Sequence, residues 1–133
     1  MPTLEELDGD IWGEPDYPSG LVLRCHALRK KELAEFSDDD LRVLLGQGLS
    51  TEHLASIAID RLQRDPAAEA DRFPGALLNS LILPKNWERL RPYRAEVNQI
   101  ARRALDLLPP DSFTAEGRQY IDVPAAIAAY INH

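Results

Sequence analysis

Residues 37–66, SDDDLRVLLGQGLSTEHLASIAIDRLQRDP, carry their own start and stop signals for two helices. Ser37 is a suitable N-cap, and Asp40 follows it at the spacing of a capping box. Leucines at helical spacing come next, and the segment Gly46-Gln47-Gly48 ends this first helix because glycine adopts the left-handed C-cap conformation without steric cost.

Ser50 or Thr51 is placed to cap a second helix, whose apolar residues again repeat every three or four positions. The pair Asp65-Pro66 ends that helix. Because both helices have defined ends, residues 37–66 predict a helical hairpin on which the other segments pack.

The other segments also favour helices. Capped or periodic patterns predict helices over residues 21–30, 74–83, 93–108 and 123–132, with single turns at 3–7 and 87–90, the latter stopped by Pro92. Residues 111–120 are predicted to be a loop, because period-2 alternation and β-branched runs are absent. We therefore expect an all-α fold of five or six helices, forming one domain over residues 1–133.

The composition excludes several classes of protein. A chain of 133 residues can bury roughly two thirds of its unfolded surface without a disulfide or a metal. Its single cysteine, Cys25, excludes an intrachain disulfide and fits a reducing compartment. The acidic N-terminus lacks the pattern of a signal peptide, and no apolar run is long enough to cross a membrane. We expect a cytoplasmic protein.

The net charge of −7 is concentrated in the first third of the chain. Residues 1–40 contain 11 Asp or Glu against 4 Lys or Arg, whereas residues 41–133 contain 11 of each sign. An acidic surface of this kind repels nucleic acid and anionic lipid and attracts basic partners, although it is also common as a solubilising surface.

The sequence contains little that points to catalysis or to a cofactor. Phosphate-binding loops, hydrolase motifs and paired-cysteine metal motifs are absent. Asp8, Asp10 and Gly13 match part of a calcium-binding loop, but Ser19 stands where a bidentate Glu is required. Cys25 is interpreted as a small buried hydrophobic residue. We expect no enzymatic activity, no cofactor and no metal site.

One basic stretch leaves nucleic-acid binding open as an alternative function. Six Lys or Arg residues lie between Lys85 and Arg103, with Trp87 and Tyr93 among them. Ion pairing or plain solvation of these side chains is the simpler interpretation, because an acidic body repels a polyanion.

A resemblance to a known family adds to the evidence from individual residues. The chain resembles the immunity proteins of bacterial contact-dependent growth inhibition (CDI) systems. The matching segments are residues 3–10 (TLEELDGD), 12–15 (WGEP), 25–29 (CHALR), 40–42, 46–48, 65–66 and 73–75. They span about the first two thirds of the chain, and TLEELDGDIWGEP is the most specific of them because little structural necessity dictates it.

The resemblance implies a cytoplasmic, non-enzymatic protein that binds and blocks a toxin domain. Many such toxins are nucleases, whose substrate sites are basic, so an acidic surface would suit the partner. The predicted toxin-binding residues are Asp8, Asp10, Trp12, Glu14, Asp16, Asp38, Asp39 and Asp40. A general helical adaptor without a toxin partner is the main alternative, and nucleic-acid binding through residues 85–103 is the next.

Overall fold

The computed structural model describes residues 2–9, 19–108, 113–116 and 119–133, with backbone only at 113–116, 119 and 120. The elements are α1 (Leu4–Asp8), α2 (Gly20–Lys30), α3 (Asp38–Gly46), α4 (Thr51–Arg64), α5 (Ala76–Leu81), α6 (Arg94–Leu107), β1 (Phe113–Glu116), β2 (Gln119–Asp122) and α7 (Val123–Asn132). Short 3-10 helices cover Leu33–Glu35, Pro84–Asn86 and Glu88–Tyr93. The all-α fold class is confirmed, although these ranges contain seven α-helices where five or six were expected.

The hairpin of α3 and α4 forms as the local signals predict. Ser37 accepts a hydrogen bond from the Asp40 N–H, and the Asp40 carboxylate accepts one from the Ser37 N–H, which completes the capping box. After α3 the chain turns at Gly48, whose φ of +69° lies in the left-handed region. Ser50 precedes α4 as its N-cap residue, but its hydroxyl bonds elsewhere and does not cap the helix.

The core surrounds this hairpin. Helix α3 packs against α4 and α5, and α4 also contacts α6 and the 3-10 helix Glu88–Tyr93. Leu41, Leu44 and Leu45 on α3 are fully buried, as are Leu54 and Leu62 on α4. Burying each leucine stabilises the fold by about 1.5–3 kcal/mol, so the predicted central role of the hairpin is confirmed.

The prediction of a loop over residues 111–120 was wrong. β1 and β2 form an antiparallel hairpin with Phe113 opposite Asp122, where a loop was expected. Two positions lie between the strands in the sequence, and connections of this length are common between antiparallel strands. Strands of four residues are too short for alternation to stand out in the sequence.

Two smaller predictions were wrong. Pro92 lies inside the 3-10 helix Glu88–Tyr93 instead of ending a turn before it. Pro74 precedes α5, whose N-cap is Gly75. On α6, Leu105 is 40% exposed, because this helix buries only the stripe of Val97, Ile100, Ala101 and Ala104.

The end of α7 is held to the 3-10 helix before α6. The His133 ring stacks on Trp87 with 4.1 Å between ring centroids. Arg94 donates a hydrogen bond of 2.9 Å to the His133 carbonyl, and the Trp87 indole donates one of 2.7 Å to the Ile82 carbonyl. These contacts secure α7 against α6 from its C-terminal end.

A buried polar side chain, Asn86, connects the α3–α4 turn to the segment after α5. Asn86 has no exposed surface, and its amide donates 3.0 Å hydrogen bonds to the carbonyls of Leu45 and Ser80. Its carbonyl accepts a 2.8 Å bond from the hydroxyl of Thr51, which is also fully buried. Asn86 thus gives each of these three buried groups a hydrogen bond, and the Leu45 carbonyl accepts a second one from the Gly48 N–H.

Asn86→Leu should therefore lower the free energy of unfolding by about 2–4 kcal/mol, because several buried polar groups lose their partners at once. Urea denaturation measures the loss. Asn79→Leu, on the partly exposed surface of α5, is the control and should change stability by less than about 1 kcal/mol. Equal effects of the two substitutions would contradict a special role for Asn86.

Candidate functional site

The first turn of α3 is the centre of an ion-pair cluster. Asp39 accepts hydrogen bonds from Arg24 at 2.9 Å and from Arg42 at 2.7 Å. Asp40 accepts them from Lys31 at 2.8 Å and from Arg24 at 3.0 Å. Arg24 lies on α2, so the two carboxylates attach α2 to the start of α3.

These contacts shift the acidity of both carboxyl groups. Burial alone would raise the pKa of Asp40, but hydrogen bonds from Lys31, the Ser37 N–H and Arg24 lower it from 3.8 to about 2. The pKa of Asp39 is also below its ordinary value, since Arg42 and Arg24 outweigh burial. Both groups therefore stay ionised and paired across the physiological pH range.

Asp8 is the centre of a second cluster, where α1, α2 and α4 meet. One oxygen of its carboxylate accepts bonds from Arg29 at 2.8 Å and Ser50 at 3.2 Å, and the other lies 2.8 Å from His53 Nε2. Arg29 is only 3% exposed. Burial opposes ionisation of Asp8, yet Arg29, Ser50 and His53 together hold its pKa below the ordinary value.

The second cluster also meets the spacing for a metal site but lacks suitable chemistry. Ligand atoms of Asp8, Glu52 and His53 lie within 4.8 Å of one another. However, one Asp8 oxygen already accepts hydrogen bonds from Arg29 and Ser50, and the guanidinium groups of Arg29 and Arg89 line the same recess. A cation there would face two positive charges, so the residues present fit an ion-paired joint better than a metal centre.

The two predicted acidic segments do not meet in the described part of the chain. Asp8 contacts His53 in the first turn of α4, whereas Asp38 contacts Arg61 at 2.9 Å, eight residues further along. That separation is about 12 Å along the helix axis. The remaining predicted residues, Asp10, Trp12, Glu14 and Asp16, lie outside the described residues.

Asp38 and Asp39 instead share a groove with three acids that the sequence analysis did not select. The acidic groove lies between the start of α3 and the segment after α4 and has a volume of about 610 Å³. Its lining includes the five carboxylates of Asp38, Asp39, Asp65, Glu69 and Asp71. Among the described residues, Asp65, Glu69 and Asp71 are exposed and make no ion pair.

A groove of opposite charge lies on the other side of Asp39. The arginine groove, about 310 Å³ in volume, runs between α2 and α3; of the residues that the structure describes, Arg24, Arg42 and Arg72 line it and no acidic residue does. Arg24 and Arg42 are the residues that bind Asp39, so these ion pairs form the wall between the two grooves. Arg72 lies further from Asp39, at 3.8 Å.

The acidic groove could have been predicted from the topology of the helical hairpin. Antiparallel helices bring the end of α4 next to the start of α3, so residues after Arg64 return close to Asp38. In the sequence, Asp65 was interpreted only as part of the pair that ends the second helix, and Glu69 and Asp71 form no pattern of their own.

Most of the basic stretch serves the fold. Lys85 and Arg89 donate hydrogen bonds to the carbonyls of Gly46 and Gly48 after α3, at 3.0 and 2.6 Å. Arg103 donates one of 3.1 Å to the Gln63 carbonyl near the end of α4. Cations at helix C-termini satisfy free carbonyls and interact favourably with the helix dipole.

Comparison with known proteins assigns the family. The family model of the CDI immunity proteins matches residues 6–100, well over half of the 133 residues. The chain belongs to the CDI immunity protein family. The match confirms the resemblance noted in the sequence and covers every residue that lines the two grooves. No curated protein and no solved structure matches the chain in the same comparisons.

Within the described ranges, no helix combines the length and the hydrophobicity that a membrane span requires.

The shifted pKa of Asp40 predicts an acid-sensitive contribution to stability. A folded-state pKa of about 2 against 3.8 for the free group stabilises the fold by about 2 kcal/mol, fully present above pH 3.8 and lost as the pH falls through 2. Asp40→Asn should lose this contribution at neutral pH, and its stability should approach that of the wild type near pH 2. Urea denaturation at several pH values measures the difference, and a pH-independent difference would contradict the assignment.

Asp8→Ala should lower the free energy of unfolding by about 2–4 kcal/mol, because the buried Arg29 would lose its ion pair with this carboxylate. The matched control is Asp60→Ala, which removes an exposed pair with Arg64 and should cost less than about 1 kcal/mol. Thermal or urea denaturation compares the two. A loss no greater than that of the control would show that Asp8 does not hold α1 to the body.

Proposed function

We propose that this CDI immunity protein neutralises a toxin domain by binding it through the acidic groove. Family membership supports a toxin as the partner. The observation that supports the groove is a set of three exposed carboxylates around a concave surface, Asp65, Glu69 and Asp71, which make no ion pair with any other described residue.

The charge of the groove suggests the chemistry of the partner. Carboxylates without internal partners leave an uncompensated negative potential, which accelerates encounter with a basic surface and orients it. Substrate sites of nucleases are basic because they bind phosphates. A basic nuclease domain is therefore the partner that the groove suits best.

The engagement of the other acids favours the groove over the residues first predicted. Asp8, Asp39 and Asp40 each bind cations within the fold, so a partner would have to break these ion pairs to use them. Asp38 lines the groove, although it also pairs with Arg61. The contribution of Asp10, Trp12, Glu14 and Asp16 stays a prediction from the sequence.

The proposed mode of action is stoichiometric binding in the cytoplasm, without catalysis or a cofactor. An interface of ordinary size buries about 1,200–2,000 Å² in total, so the toxin would cover the groove and part of its surroundings. Nucleic-acid binding is less well supported, because Lys85, Arg89 and Arg103 hydrogen-bond to carbonyls of the fold.

The triple variant Asp65→Lys, Glu69→Lys, Asp71→Lys should bind the toxin domain encoded beside this gene about tenfold more slowly or worse, with a weaker dependence on salt. Surface plasmon resonance with a catalytically inactive toxin domain gives both rate constants at several salt concentrations. Growth of cells that produce the active toxin together with each variant reports protection.

The control is Glu88→Lys, Glu96→Lys, Asp106→Lys, which changes the net charge equally at exposed positions outside the groove. It should retain most of the association rate. Equal slowing by the two triple variants would indicate an effect of net charge alone and would exclude the groove. Absence of binding by the wild-type protein would refute the immunity function itself.

A further inference from the structure

The arginine groove has the properties of an oxyanion-binding surface. Three guanidinium groups line it, and among the described residues no carboxylate does, although the chain as a whole is acidic. Each guanidinium offers five N–H donors in a planar fork that matches a carboxylate or a phosphate.

Within the described part of the chain, the ion pairs of Arg24 and Arg42 leave several N–H donors of these two side chains unused. Among the described residues, Arg24 donates only through Nη2, to Asp39 and Asp40, and Arg42 donates only through Nε, to Asp39. The Arg24 side chain is 36% exposed, so its outer edge is accessible from solvent. A further oxyanion can therefore bind these groups while the wall of ion pairs stays intact.

The start of α2 adds to the positive character of the groove. Gly20 and Leu21, the first two residues of this 11-residue helix, line the groove. The first turn of α2 contains no acidic residue, so the positive end of the helix dipole is not neutralised there.

We propose that the arginine groove binds an acidic side chain of the same toxin domain that the acidic groove contacts, and this inference rests on the proposed function above. The two grooves are neighbours, separated only by the ion pairs of Asp39. A partner that buries an interface of ordinary size over the acidic groove therefore also reaches the arginine groove. A basic group and an acidic group at a matching spacing on the toxin then fix the register of the complex. A surface of uniform charge could not do so, because it attracts in any register.

Gln47→Glu tests this without removing an arginine. Gln47 is exposed and lines the arginine groove, so the substitution places a carboxylate among the guanidinium groups. This carboxylate competes with the toxin's own, and we expect the dissociation constant for the inactive toxin domain to rise about tenfold, mainly through faster dissociation. Gln99→Glu, on the exposed surface of α6, makes the same change of net charge and should have no such effect.

The sign of the effect separates this inference from general electrostatics. An added negative charge would strengthen binding to a basic toxin if only net charge mattered. Weaker binding by Gln47→Glu than by Gln99→Glu therefore supports a carboxylate in the groove. Binding that is equal or tighter overturns the inference, while the acidic-groove variants still test the proposed function independently.

Competing oxyanions provide a second measurement. At equal ionic strength, sulfate should weaken binding of the wild type more than chloride does, because sulfate occupies the guanidinium groups directly. Gln47→Glu should lose this extra sensitivity. Equal effects of the two salts on the wild type would also overturn the inference.

Discussion

The ion pairs at the first turn of α3 join the local and the tertiary structure of this protein. Asp40 completes the capping box that starts α3, and the same carboxylate binds Lys31 and Arg24. Asp39, next to it, binds Arg24 and Arg42. The helix start therefore determines where two carboxylates point, and these carboxylates hold α2 against the central hairpin. Because the same ion pairs also form the wall between the grooves, the surface proposed to bind a toxin depends on them as well.

The distribution of charge is more informative than the net charge of −7. Much of the acidity in the first third of the chain is neutralised by arginines and a lysine, and several bases of the second half bind carbonyls after α3 and near the end of α4. Among the described residues, two local patches of opposite sign stand out: an acidic groove after α4 and a groove lined by arginines beside α2. Adjacent patches of opposite sign favour one orientation of a partner, which is the property that an inhibitor of a specific toxin requires.

Several predictions about single residues changed when their neighbours became known. Asp8 was expected to contact a partner, but it neutralises the buried Arg29, which comes from another helix. His53, which lies on α4, is 2.8 Å from that same carboxylate. Asn86 showed no pattern in the sequence, yet it satisfies buried carbonyls of Leu45 and Ser80. Each of these roles depends either on burial or on a partner that is distant in the sequence. Burial of a polar side chain and contacts between distant residues produce no periodic pattern in the sequence.

The sequence by itself determined the all-α class, most helix boundaries and the central hairpin. Its short family-like segments, above all residues 3–15, also pointed to the family. Caps, glycine turns and apolar repeats act over about four residues, so the sequence expresses them directly. Only the tertiary structure decided which charges are paired and which remain exposed, because an ion pair requires two helices to be neighbours. It therefore moved the proposed site to Asp65, Glu69 and Asp71, which lie beside Asp38 only because α4 runs back along α3.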